Sequence, residues 1–246
     1  MRSIVLALAL TLTACATTPF ERAPLTCDTG CGSVRGWTAE DVAEVGRLVR
    51  DLAPIVREAI RPENSEPVRV VVLDEAADPY AEAYTHEFVR DGRVVDRVIV
   101  VGSRRKHLRG FVVTHEIVHW MADGPWDRLP LALEEGLADL VAGQLDPVGR
   151  EAKDYDLAHV PPASSFEEIE AALRASRETW DGLPPSGRDR AYWVGAIVAR
   201  RLGVEGLRTL AVEAARSGAH YVSPAIVIDR LGLGRYVAAW NEAASR

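Results

Sequence analysis

Apolar residues recur at helical spacing along most of this chain, interrupted near its middle by short β-branched runs. After Thr38, a residue suited to cap a helix, Val42, Val45, Leu48, Val49, Leu52 and Val56 form one stripe, predicting a helix to about residue 60 that Pro54 should kink or interrupt. Val68-Arg69-Val70-Val71-Val72-Leu73 reads as a strand, and 83–90 and 93–101 read as two more, joined by Asp91-Gly92, a dipeptide favoured in two-residue hairpin turns. Residues 109–122 return to the helical pattern, with Phe111, Val112, Val113, Ile117, Val118 and Trp120 leaving one polar face, and Asp123-Gly124-Pro125 stops it. A further helix begins at Pro130, with Leu133, Leu137, Leu140 and Val141 as its buried stripe. From 147 to 185 the chain is polar and proline-punctuated, with one helix over 165–177 opened by Ser165 and Glu168 in capping-box spacing. A well-patterned helix follows over 188–202, and two or three short helices follow Gly203. The order of elements predicts an α+β fold: a small, mostly antiparallel sheet packed on helices, with a helical C-terminal part.

Composition sets the scale. Of 246 residues 48% are hydrophobic and 26% charged, which suits one packed domain, or one with a small accessory lobe, and excludes wholesale disorder. The net charge is -7, and loss of the segment before Cys15, with its single basic Arg2 and no acid, would make it -8. That balance argues against nucleic acid as a partner.

Residues 1–14 have Arg2, then an apolar run from Ile4 to Leu12, then small residues, the architecture of a secretory signal too short to span a bilayer. Leu12-Thr13-Ala14-Cys15 resembles the lipobox of bacterial lipoprotein signals. The resemblance implies cleavage before a lipidated Cys15, which anchors the chain to a membrane outside the cytoplasm. Ala16, in place of the aspartate linked to inner-membrane retention, favours the periplasmic side of the outer membrane. Residues 15–36, rich in Thr, Pro, Gly and Cys, read as a tether, and the folded domain as 37–246. The remaining cysteines, Cys27 and Cys31, could pair across Asp28-Thr29-Gly30 in an oxidising compartment, whereas a second metal site there lacks further cysteines.

The chemistry concentrates in His115-Glu116-Ile117-Val118-His119. Four residues apart on a helix, the two imidazoles can reach one point, where a divalent metal would sit. Zinc suits neutral imidazole nitrogens and leaves room for a third protein ligand and a water, and Glu116 is placed to take that water's proton. An apolar helix has little reason otherwise to bury two imidazoles and a carboxylate. Metzincins are excluded, because their glycine and third histidine would fall at Ala122 and Pro125. In the next helix Glu135 and Asp139 share a face: Glu135 can complete a two-His, one-Glu set, and Asp139 can accept the other ring N–H of a ligand histidine. Glu134, about 100° around the helix, is the weaker ligand. His86 and His107 read as surface or supporting residues.

His115-Glu116-x-x-His119 followed by Glu135-Gly136-Leu137-Ala138, with Asp139 four residues after Glu135, resembles the gluzincin metallopeptidases. Fifteen residues separate His119 from Glu135, fewer than in thermolysin or the zinc aminopeptidases, and this looks more like the compact bacterial domains called peptidase MA-like. The resemblance extends loosely over 68–243, through Ala191-Tyr192-Trp193-Val194-Gly195-Ala196. It implies a zincin-like fold, one zinc per chain and hydrolysis of peptide bonds, with an endopeptidase favoured because the glycine-rich exopeptidase motif is not visible. It also implies that Tyr192 donates a hydrogen bond to the oxyanion, a role for which His220 and Tyr221 are rivals. The expectation is therefore a lipid-anchored zinc metallopeptidase of the bacterial envelope acting on peptides or proteins. The alternatives are a non-hydrolytic zinc-containing envelope lipoprotein that serves as a binding module, and hydrolysis of another bond at the same metal.

Overall fold

The computed structural model describes residues 23–63, 66–73, 83–90, 93–102, 109–176, 179 and 182–244. The signal segment, Cys15, Asp91-Gly92 and His107 lie outside the described residues. The chain is a mostly helical α+β protein with one five-stranded sheet and, among the described residues, eight α-helices.

Strands β1 (Leu25–Asp28) and β2 (Gly32–Gly36) precede helix α1 (Ala39–Ile60), and β3 (Val68–Val72), β4 (Ala83–Arg90) and β5 (Arg93–Val101) follow it. Next come α2 (Arg109–Met121), a 3-10 turn at Gly124–Arg128, α3 (Leu131–Leu145), α4 (Pro147–Ala158) and α5 (Phe166–Arg174). The chain closes with α6 (Pro185–Ser217), α7 (Pro224–Leu231) and α8 (Val237–Ala244).

The sheet order is β1-β2-β3-β5-β4, antiparallel in its two outer pairs and parallel in its two inner ones. It is thus mixed where the sequence predicts a mostly antiparallel one. The difference comes from the parallel pairing of β3 with β5 and from residues 25–36, read as tether. They pair as a hairpin and add to β3 in parallel, with α1 as the crossover that a parallel pair requires. Val34 of β2 is fully buried.

Thr38 caps α1 by accepting from the Asp41 amide at 3.1 Å, and the helix runs uninterrupted through Pro54 to a left-handed Arg61. In α6 the interruption is at Gly203, whose φ of 65° breaks the helical path between two segments.

Alternation along the strands divides the sheet's two faces. Val70, Val72, Ile99 and Val101 enter the main core with α1, α2, α3 and α6, while Val71, Val98 and Val100 pack with Ala23 on the other face. Polar ties set α2 within this frame. Buried Arg109 at its start pairs with Asp41 at 2.7 Å and Glu44 at 2.5 Å, both on α1. Near its end, Arg97 of β5 donates to the Trp120 carbonyl at 2.8 Å and lies over the Trp120 ring. Helix α3 packs on one side against α2 and on the other against α6. Gly136 and Gly195 let the α3 and α6 backbones approach, since a Cβ on Gly195 would overlap the Ala132 carbonyl and one on Gly136 the Gly195 carbonyl.

Candidate metal centre

Helix α2 carries His115 and His119 one turn apart, and α3 brings Glu134, Glu135 and Asp139 against them. The two Nε2 atoms face each other at 3.0 Å. Glu135 lies between them, with Oε2 at 3.2 Å from His115 Nε2 and Oε1 at 3.5 Å from His119 Nε2. The donor atoms of His115, His119 and Glu135 all fall within 4.8 Å of one another.

Behind each imidazole stands another carboxylate. His115 Nδ1 lies 2.9 Å from Asp139 Oδ1, and His119 Nδ1 lies 3.0 Å from Glu134 Oε1. A carboxylate can only accept, so each Nδ1 carries a hydrogen and each Nε2 of the neutral ring presents a lone pair. With both rings neutral, three electron-pair donors converge, and Glu135 Oε2 is buried without a hydrogen-bond partner. This donor set fits a divalent cation. The buried His115, His119 and Glu135 cluster can bind a metal.

The electrostatics of the side chains alone point the same way. Burial opposes charge on His115, but the hydrogen bonds that its charged ring donates to Asp139 and Glu135, and the charge of Asp139, outweigh it, raising its pKa from 6.5 to about 9. For His119 burial again opposes charge, and Glu135 and Glu134 overcome it, pushing the pKa well above the usual value. Burial alone would raise Glu135, yet the neighbouring His119 and His115 hold it far below the usual carboxylate range. Such a cluster favours a positive charge at its centre, and a dication supplies it more fully than a shared proton.

Glu116 points to the sheet side of α2 and is 6% exposed. Thr85 Oγ1 of the edge strand β4 donates to its Oε2 at 2.8 Å. An open cleft of about 690 Å³ runs beside the cluster, lined by His115, Glu116, Asp139 and Tyr192 together with Lys153 of α4. Tyr192 lies one turn before Gly195 on α6, so the close α3–α6 crossing delivers it to the cleft. Burial first, then the charges of Glu135, Asp139 and Glu116, push its phenol pKa up, which keeps it a proton-bearing donor. Lys153 reaches Asp139 Oδ2 at 3.2 Å and lies 4.2 Å from the centre of the Tyr192 ring.

The structure thus brings His115, Glu116, His119, Glu135, Asp139 and Tyr192 to one place. It does not bring His220 and Tyr221 there: their rings contact each other at 4.4 Å and neither lines the cleft. His86 is on β4, paired in register with Val98. Cys27 and Cys31 are unbridged thiols, which corrects the expected pairing. The turn closed by the Thr29 amide on the Gly32 carbonyl leaves Cys27 on β1 beside Gly46 of α1, while the Cys31 sulfur faces the Arg50 carbonyl one helical turn further.

Three roles at the site are not read from the sequence, those of Glu134, Thr85 and Lys153. Glu134 is a histidine partner where it was weighed only as a ligand, and its adjacency to Glu135 was the available signal. Thr85 and Lys153 carried none, since neither belongs to a motif. Compared with protein-family models, curated proteins and solved structures, the chain matches none.

Proposed function

We propose that this chain is a zinc metallopeptidase of the gluzincin type, with the compact zincin-like fold of peptidase MA-like domains, acting in the bacterial cell envelope. The observation that carries the reading is the convergence of His115 Nε2, His119 Nε2 and Glu135 on one point, with a carboxylate behind each Nδ1 and Glu116 in the adjoining cleft. These three residues would hold one zinc ion per chain, a set of two imidazoles and one carboxylate that leaves a position open for chemistry. Zinc bound there supplies a Lewis acid that acidifies water and polarises a carbonyl oxygen.

The chain's own residues divide the remaining tasks. Glu116, with Oε2 engaged by Thr85, has Oε1 to accept a proton from the attacking water and to return it to the leaving amine. Tyr192, kept protonated, donates a hydrogen bond to the carbonyl oxygen as it gains negative charge. Asp139 and Glu134 fix the ring orientations and tautomers of His115 and His119. Leu12-Thr13-Ala14-Cys15 supports lipid anchoring at Cys15 outside the cytoplasm, and Ala16 favours the periplasmic side of the outer membrane.

The test is zinc content together with cleavage of an unbiased peptide library, for the full chain and its Glu116→Gln variant. One zinc in each, with turnover in the variant down by about 100-fold or more, is the expected result. Full hydrolysis by Glu116→Gln would refute the assigned mechanism. Zinc in both with cleavage in neither would favour a binding module.

A further inference from the structure

The lining of the cleft is partly apolar and partly charged. Ala83 of β4, Phe111 and Val112 of α2 and Ala152 of α4 make its apolar part. Helix α4 also contributes two charges, Lys153 and Asp156. Lys153, the one lysine or arginine among the described lining residues, is turned inward and engaged by Asp139 and the Tyr192 ring. Asp156, three residues on, is exposed.

The position of Asp156 runs against helix electrostatics. It stands in the last turn of α4, where the free carbonyls already carry partial negative charge, and that turn has no basic residue. Its neighbours on α4 do not neutralise it. Lys153 is committed to Asp139, His159 turns its Nδ1 to the Tyr155 carbonyl at 2.7 Å, and Arg150 is drawn to Asp154. Among the described residues no ion pair reaches Asp156. A carboxylate at the negative end of a helix with no ion pair among the described residues, beside the apolar part of the cleft lining, is poorly placed for stability and well placed for a cation from outside.

We propose that Asp156 makes this cleft select substrates with a long cationic side chain, lysine or arginine, next to the bond attacked. The aliphatic stem lies along Phe111, Val112 and Ala152, and the charged head meets Asp156 at the rim. The inference rests on the reading of the cleft as the substrate site of a metallopeptidase and adds the side chain it takes.

The test uses two peptide hydroxamates identical except for arginine or its neutral isostere citrulline beside the metal-binding group, with a third carrying glutamate. Their affinities for the zinc-loaded full chain are measured by calorimetry, so the readout needs no turnover. The arginine compound is expected to bind roughly fivefold tighter than the citrulline one at low salt, as suits a partly exposed ion pair. The difference should shrink towards none in ~1 M salt and vanish in Asp156→Asn. Equal affinities at low salt, a difference that survives Asp156→Asn, or a preference for glutamate would each overturn the proposal. The library separates this from the activity itself: an arginine preference with no peptide cleaved would sink the peptidase reading and leave Asp156 as the determinant of a cleft that binds cationic side chains. Failure of all three compounds to bind a zinc-loaded chain would sink both.

Discussion

Glu134 and Glu135 are neighbours in sequence and have different tasks, because one step along an α-helix turns a side chain by about 100°. Glu135 reaches the Nε2 side of both histidines, and Glu134 reaches the Nδ1 side of His119, as Asp139 does for His115. Loss of either supporting charge should weaken zinc binding without removing a ligand. Asp139→Asn and Glu134→Gln are each expected to lower zinc affinity by about 10- to 100-fold in chelator competition. The same residues set a pH dependence. Among the side chains alone, the folded value of His115 is raised from 6.5 to about 9, so its charged form stabilises the zinc-free fold. That contribution is fully present below 6.5 and is lost as pH rises from there through about 9. Zinc has to displace the proton. Its binding at neutral pH should therefore release protons, and apparent affinity should fall by about tenfold per pH unit for each proton displaced below that value. Calorimetry in buffers of different ionisation enthalpy counts the protons, and none released at pH 7 would contradict the assignment.

At the level of elements, the site depends on how closely α3 and α6 pass. Gly136 and Gly195 remove the side chains that would keep them apart, which places Tyr192 in the same cleft as Glu116. Gly195→Ala tests this contact. Alanine gains about 1 kcal/mol in helix propensity, but its Cβ would overlap the Ala132 carbonyl, and a rigid backbone cannot yield as a side-chain tip would. The overlap should prevail, with a net loss of about 1–3 kcal/mol in thermal unfolding and reduced turnover as Tyr192 shifts. Unchanged stability would mean that the helices can separate at no cost. The edge strand β4 plays a parallel part from the other side, since Thr85 fixes one oxygen of the buried Glu116.

Over the whole molecule, α2 and α3 are joined by packing and share the residues proposed to hold the ion. An ion that binds only the folded chain stabilises it by about 4 kcal/mol at a thousandfold excess over Kd. Chelation should then lower the melting temperature by about 10 °C for a chain of this size, and His119→Ala should abolish that response. The sequence alone determined the parts that depend on local periodicity and spacing. The helix with His115 and His119 one turn apart, the strands Ala83–Arg90 and Arg93–Val101, and the shared face of Glu135 and Asp139 follow from 3.6-residue and two-residue repeats, which need no knowledge of neighbours. Tertiary structure decided what depends on long-range partners. Leu25-Thr26-Cys27-Asp28 and Gly32-Ser33-Val34-Arg35-Gly36 become strands because β3 offers an edge to pair with, although their own apolar pattern is too sparse to signal one. Glu134 finds His119, Thr85 finds Glu116 and Lys153 finds Asp139 and Tyr192 only once separate elements pack, because a side chain's partner is set by where the backbones cross and not by its own type.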